Sequence, residues 1–294
     1  MAQARTTSRS RGQALLLAVV GLVAGACTNV PLPPIEAVPA GRFSHEDLDT
    51  FQARHVDAEG RVNYPAAVSD RDDLERYVAS IARVSPDSSP ERFPTEQERL
   101  AYWINAYNAW VLTLVLEHDP VGSVQEIQTP SSGLVAPVLP DGAGFFFWHR
   151  IALGGKRMSL YTLENRIVRG RFDEPRIHFA LNCASIGCPR LPQRAFDPDA
   201  LEAQLAHETD RFLAETRNVE IAHAAGQIRL SSIFDWYAGD FTGWMERHVP
   251  KEPATLRGWI AHHSTDALRA QLDACDACAE RFVPYDWGLN AQGH

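Results

Sequence analysis

Thr95-Glu96-Gln97-Glu98-Arg99-Leu100-Ala101-Tyr102-Trp103-Ile104-Asn105-Ala106-Tyr107-Asn108-Ala109-Trp110 is the stretch that decides the architecture. Thr95 with Glu98 three residues later reads as a capping box. Apolar side chains then recur at three- and four-residue steps through Leu100, Trp103, Tyr107, Trp110, Val111 and Leu114, until Asp119-Pro120 stops the helix. The positions between them are apolar as well, which predicts a helix at the centre of the core. Asn105 and Asn108 interrupt this pattern three residues apart, so they share a face. Asparagine is a poor helix former and its amide is costly to bury unpaired, so both side chains must meet polar partners inside the fold. Two roles stay open for them: orienting a catalytic histidine or an oxyanion, or tying down neighbouring backbone.

Working outward, residues 71–84 carry helical periodicity through Leu74, Tyr77, Val78, Ile81 and Val84. Ser44-His45-Glu46-Asp47 caps a short helix, and 56–64 reads as a turn and strand around Gly60. Residues 121–144 are rich in Gly, Pro and Ser and read as a long surface loop, a candidate lid. Beyond it come a hairpin at 145–159 turning at Gly154-Gly155, a helix at 159–169 and a short buried strand at 176–181. A helix at 201–216, a second hairpin at 219–222 and 227–230, and further helices from 233 complete the chain. Helices mixed with short antiparallel pairs predict an α+β fold, one mixed domain spanning 43–294 around a central buried helix. A papain- or transglutaminase-like arrangement is the leading architectural expectation.

The first residues carry Arg5, Arg9 and Arg11 with no acidic group, followed by an apolar run from Ala14 to Ala26. A charged start and an apolar run shorter than the roughly 20 residues a bilayer requires read as a signal peptide over 1–26. The run ends in Val23-Ala24-Gly25-Ala26-Cys27, which resembles the lipobox of bacterial lipoproteins, with Ala24 where Leu is usual. The resemblance implies a lipid-bearing Cys27 at the cell envelope. Thr28 in place of an Asp after that cysteine favours outer-membrane lipid as the partner, with the domain facing the periplasm. Residues 27–42, with Pro31, Pro33, Pro34 and Pro39, read as a stiff extended tether.

The net charge of −9 argues against a nucleic-acid partner, because phosphate binding needs a basic face. Past the tether lie Cys183 and Cys188, five residues apart, and Cys275 and Cys278 in Cys-x-x-Cys spacing. An oxidising compartment permits disulfides among them, and four cysteines allow three connectivities. Ala274-Cys275-Asp276-Ala277-Cys278 lacks the turn residues of a zinc knuckle, so neither metal nor cofactor is expected.

Chemistry concentrates in His178-Phe179-Ala180-Leu181-Asn182-Cys183-Ala184-Ser185-Ile186-Gly187-Cys188-Pro189. A thiolate beside an imidazole is a strong nucleophile, because the ring takes the thiol proton and the ion pair lowers the thiol pKa. Cys183 as nucleophile and His178 as base, supported by Asn105 and Glu164, form one reading, with Asn108, Asn182 and Ser185 in binding roles. The competing reading is a Cys183–Cys188 disulfide that closes the turn. In a regular strand His178 and Cys183 would face opposite sides, so the backbone must bend for them to meet.

These motifs, with Leu100 to Ala109, Ile233-Phe234-Asp235-Trp236-Tyr237 and Tyr285-Asp286-Trp287, resemble the domain of unknown function 547 family of bacterial exported and plant proteins, over roughly residues 95–290. The resemblance implies no established reaction. It implies a histidine where this chain has Asn165, and a first cysteine kept in plant members that lack the second, which favours a functional thiol at Cys183. Three functions remain in view: a cysteine hydrolase or acyltransferase on an amide or thioester, an envelope module that binds a peptide or small molecule without catalysis, and a thiol-redox protein.

Overall fold

Burying a helix on every side requires partners all round it, and the computed structural model supplies them in residues 28–34, 37–119, 121–127 and 144–293, the residues it describes. The signal peptide, Cys27 and residues 128–143 of the expected lid lie outside these residues. In chain order the described elements begin with strand β1 (Thr28–Asn29), α1 (Glu46–His55), α2 (Tyr64–Ser69), α3 (Asp72–Arg83) and α4 (Glu96–His118). Strands β2 (His149–Leu153) and β3 (Lys156–Met158) follow, then helix α5 over 160–171. After α6 (Leu201–Ala214), β4 (Val219–Ala222) and β5 (Gln227–Ser231) come α7 (Ser232–Trp236), α8 (Ala238–His248), α9 (Leu256–His263), α10 (Asp266–Asp273) and β6 (Ala279–Val283). The fold is α+β.

Helix α4 is the axis. Its capping box is closed in both directions, Thr95 Oγ1 accepting from the Glu98 amide at 3.1 Å and Glu98 Oε2 accepting from the Thr95 amide at 2.8 Å. Every residue from Leu100 to Leu112 is buried, packed by α2, α3 and α5. Each sheet has three strands in sequence order and is mixed: β1 runs parallel to β2 and β6 parallel to β5, while β2–β3 and β4–β5 are antiparallel. The expectation of purely antiparallel pairs missed β6, whose Glu280 and Arg281 give it no apolar alternation. The β2–β3 turn falls at Gly154-Gly155, both at positive φ, and their amides donate to the carbonyls of Ile81 and Ala82 at the end of α3.

Two further expectations change. Residues 28–30 do not stand free as part of a tether: β1 pairs with β2, Val30 is buried, and Arg157 donates to its carbonyl. The strand expected at 176–181 is instead a tight helical turn, Pro175–Phe179. Proline at its start fixes φ, Glu174 caps the Arg176 amide at 3.1 Å, and the short apolar run has no periodicity to tell strand from helix.

The core divides into a larger cluster around α4 and a smaller one around Phe179, Phe212, Phe234, Phe241 and Trp259. Among the described residues no helix is long and apolar enough to cross a membrane. Asn105 fastens α4 to the chain before α6, donating to the Phe196 carbonyl at 2.8 Å and accepting from its amide at 2.9 Å. Of the two roles open to it, this is the tying down of backbone, and among the described residues it makes no hydrogen bond to a histidine. Asn105→Ala leaves the two Phe196 groups buried without partners and is expected to lower stability by about 2–4 kcal/mol in urea unfolding, where a change below about 0.5 kcal/mol would refute the assignment.

Candidate functional site

Asn108 begins the site, one turn further along α4. Its Nδ2 donates to the Ala180 carbonyl at 2.9 Å and its Oδ1 accepts from the Asn182 amide at 2.9 Å, so the chain is clamped on both sides of Leu181. Asn182 then turns the backbone sharply, its Oδ1 accepting from the Ala184 amide at 2.8 Å and its Nδ2 donating to the Pro189 carbonyl at 2.7 Å. Ala184, with φ of 61°, is the one non-glycine at positive φ among the described residues. Such a conformation costs about 1–3 kcal/mol and persists only where the surroundings enforce it. Here Asn182 enforces it from one side and Asn290, donating to the Ala184 carbonyl, from the other.

The strained turn presents Cys183 half-buried beneath the C-terminal segment. Gly187 lets that segment approach, since a Cβ there would sit 2.9 Å from the Asp286 amide. Tyr285 is thereby brought down so that its hydroxyl lies 3.0 Å from Cys183 Sγ and 2.8 Å from Ser185 Oγ, itself 3.0 Å from the sulfur. Burial pushes the Tyr285 pKa up, so it remains a protonated donor. Cys183 is joined to buried Cys188 in a disulfide with a Cα separation of 6.2 Å, and the Cys183 amide points at Cys188 Sγ. Cys275 and Cys278 form a second disulfide after α10, remote in sequence from this turn.

His178 lies in the Pro175–Phe179 turn, its ring stacked on Tyr237 at 3.8 Å and its Nε2 2.8 Å from Asp240 Oδ2. Arg169 grips the same carboxylate with Nε and Nη2 at 2.7 and 3.0 Å and covers the Tyr237 ring. Burial raises the Asp240 pKa, but the hydrogen bonds from His178 and Arg169 outweigh it and hold the carboxyl well below the usual range. For His178 burial dominates over the Asp240 bond and lowers its pKa. At neutral pH the pair is a neutral imidazole donating Nε2–H to an ionised carboxylate, a tautomer assigned from the acceptor it faces. Nδ1 has no hydrogen-bond partner among the described residues.

Helix α5 contributes Glu164. Its middle, Leu163–Val168, widens into a π-helical turn, an irregularity frequent at functional sites that no sequence period announces. Tyr237 donates to Glu164 Oε1 at 2.6 Å and Tyr107 to Oε2 at 3.3 Å. Burial, and next the charge of Glu164, raise both tyrosine pKa values, which keeps their protons on.

Glu164, His178, Cys183 and Cys188 line one cleft of about 370 Å³ where the two hydrophobic clusters meet. Its walls are aromatic: Phe147 stacked on Tyr161 at 4.3 Å on one rim, and Trp236, Tyr285 and Trp287 in mutual contact on the other. Asn108, Asn182 and Ser185 support the turn from beneath. The imidazole–thiol contact of a papain- or transglutaminase-like site is not formed: His178 turns to Asp240, Cys183 to Tyr285, Ser185 and Cys188, and no hydrogen bond joins His178 to Cys183 among the described residues. The sequence reading missed Asp240, 62 residues from its partner, and the tyrosine hydroxyls, which apolar periodicity counts as core. Asn165, at the cleft, accepts from Arg169 and donates to the Tyr161 carbonyl. Among the described residues no group of three or more His, Cys, Asp or Glu side chains is placed to hold a metal ion.

Residues 91–213 match the model of the family described as "Protein of unknown function, DUF547". No curated protein and no solved structure matches the chain. The matched segment holds Tyr107, Glu164, His178, Cys183 and Cys188, whereas Tyr237, Asp240 and Tyr285 lie beyond it.

A buried neutral histidine whose folded pKa lies below its unfolded value contributes stability above pH 6.5, and loses it as pH falls through that value toward the folded pKa. Urea unfolding between about pH 8 and about pH 5.5 is therefore expected to show a shallower loss of stability on acidification for His178→Asn than for the wild type. Equal slopes, or an imidazolium in the nitrogen NMR spectrum at neutral pH, would contradict the assignment.

Proposed function

We propose that the chain acts through Cys183 by thiol–disulfide exchange, oxidising protein dithiols presented at the aromatic cleft. One observation carries this reading: the disulfide of a half-buried Cys183 and a buried Cys188 lines the same cleft as His178 and Glu164. A substrate thiol gives its proton to His178 Nδ1, and the thiolate attacks the more accessible sulfur, Cys183. The Cys183–Cys188 bond breaks and Cys188 leaves as a thiolate facing the Cys183 amide. The second substrate thiol gives its proton to the Cys188 thiolate and attacks the substrate sulfur of the mixed disulfide, forming the product disulfide. Cys183 leaves as a thiolate between the hydroxyls of Tyr285 and Ser185 and takes up the proton held on His178. Two electrons and two protons pass from the dithiol to the cysteine pair. Hydrogen bonds to a thiolate favour that charged leaving group.

A second reading is acyl transfer or hydrolysis of an amide or thioester by reduced Cys183. The His178–Asp240 pair favours it, since a histidine oriented by a carboxylate is the usual activating base of a nucleophile. The lipobox-like Cys27 supports placing either activity on a lipid-anchored protein at the periplasmic face of the outer membrane. With residues 28–30 docked in a sheet, the anchor would hold the domain close to the lipid.

With oxidised glutathione, reduced Cys188→Ser is expected to accumulate a mixed disulfide at Cys183, while Cys183→Ser shows more than tenfold less adduct, read by intact-protein mass spectrometry. If Cys188→Ser forms no adduct but turns over an activated thioester in a His178-dependent manner, the acyl reading replaces this one. If Cys183 of the reduced, folded protein reacts with no thiol reagent, both fail and a non-catalytic binding module remains.

A further inference from the structure

We propose that the cleft selects substrates carrying an ammonium group, which Glu164 and the aromatic rim bind beside Cys183. This deepens the preceding reading by naming the substrate class, and rests on it only in placing that group next to the reactive sulfur.

The starting point is a charge without a counter-charge. Glu164 is the one formally charged side chain lining the cleft among the described residues, because His178 is held neutral. Its oxygens accept from two phenols, which orient the carboxylate without neutralising it. No Lys, Arg or His makes an ion pair with it among the described residues. Arg169, a cation whose field reaches it, is held in two hydrogen bonds by Asp240, and those two charges offset each other. A half-buried carboxylate with apolar walls and no cation attracts one from outside, since the low surrounding dielectric strengthens the pairing.

The walls fit the same ligand independently. Phe147, Tyr161 and Trp236 are among the large hydrophobic side chains left exposed on the molecule, and all three line this cleft. Aromatic faces bind cations through their quadrupoles, and an alkylammonium adds a carbon stem to bury against the rings. A cleft of about 370 Å³ accommodates a lysine-like side chain or a small aryl-alkylamine. An anionic ligand would meet Glu164 directly, and a neutral one would leave the carboxylate uncompensated.

The test uses three probes of nearly equal shape on the whole folded protein: 2-phenylethylammonium, 2-phenylethanol and 3-phenylpropionate, followed by calorimetry and by quenching of tryptophan emission. The ammonium is expected to bind at least about tenfold more tightly than the alcohol, and the carboxylate not at all. Glu164→Gln, an isosteric change whose amide oxygen accepts from one tyrosine while its amide N–H donates to the other hydroxyl, is expected to bring the ammonium and alcohol within about threefold of each other. Equal binding of ammonium and alcohol to the wild type overturns the proposal whether or not the variant folds, and so does a preference that survives in folded Glu164→Gln. Exchange at Cys183 is read separately with glutathione on the wild type. Loss of the ammonium preference with exchange intact sinks only this proposal, whereas the preference without exchange sinks the thiol chemistry and leaves a cation-binding cleft.

Discussion

The double hydrogen bond from Asn108 to the Ala180 carbonyl and the Asn182 amide is the constraint on which the rest of the site depends. An unpaired amide at the centre of a buried helix would cost more than the fold can readily absorb, so Asn108 obliges some backbone to come to it. The backbone that comes is the segment before Cys183. Held at both groups, it can form neither a sheet ladder nor a regular helix. The alternatives are a tight helical turn before it and a strained turn after it, and these set His178 and Cys183 on the rim of one cleft.

From there the site is assembled by successive close contacts among parts distant in sequence. Asn182 fixes the turn at Ala184, Gly187 admits the C-terminal segment, and Tyr285 comes down to the sulfur. On the other side burial holds His178 neutral while Asp240, itself gripped by Arg169, orients it, and Tyr237 touches both the imidazole and the guanidinium with its hydroxyl on Glu164. Tyr237 thereby links the histidine side of the cleft to the carboxylate side. The same phenol shapes the base and orients the anion, so chemistry at the sulfur and recognition of charge share one rigid frame.

Two of the features that make the cleft distinctive are local irregularities. The left-handed Ala184 and the π-helical widening around Glu164 each depart from the conformation that their residues prefer in isolation. Each is held by hydrogen bonds: from the neighbouring Asn182 side chain and the Asn290 backbone amide for the first, and from the Tyr107 and Tyr237 hydroxyls to Glu164 for the second. Such local departures persist only where the surrounding structure enforces them.

The amino-acid sequence by itself determined the elements whose signals are periodic. Helix α4 with its capping box, the helix over 72–83, the Gly154-Gly155 hairpin and the α+β class are all legible from side-chain spacing and turn residues, because those signals lie within a few residues of one another. It also determined that Asn105 and Asn108 must find buried partners, and it singled out His178 and Cys183, with Glu164 as a weaker signal, as candidates for chemistry. Which partners the asparagines find was decided only by the tertiary structure: Phe196 for one, the Cys183 turn for the other. So too was the pairing of His178 with Asp240 instead of Cys183, since a residue 62 positions away leaves no local pattern. The short apolar run at 176–181 misled for the same reason. Its conformation follows from a proline, a capping glutamate and a clamp on a distant helix, whereas periodicity reports only which face of a regular element is buried.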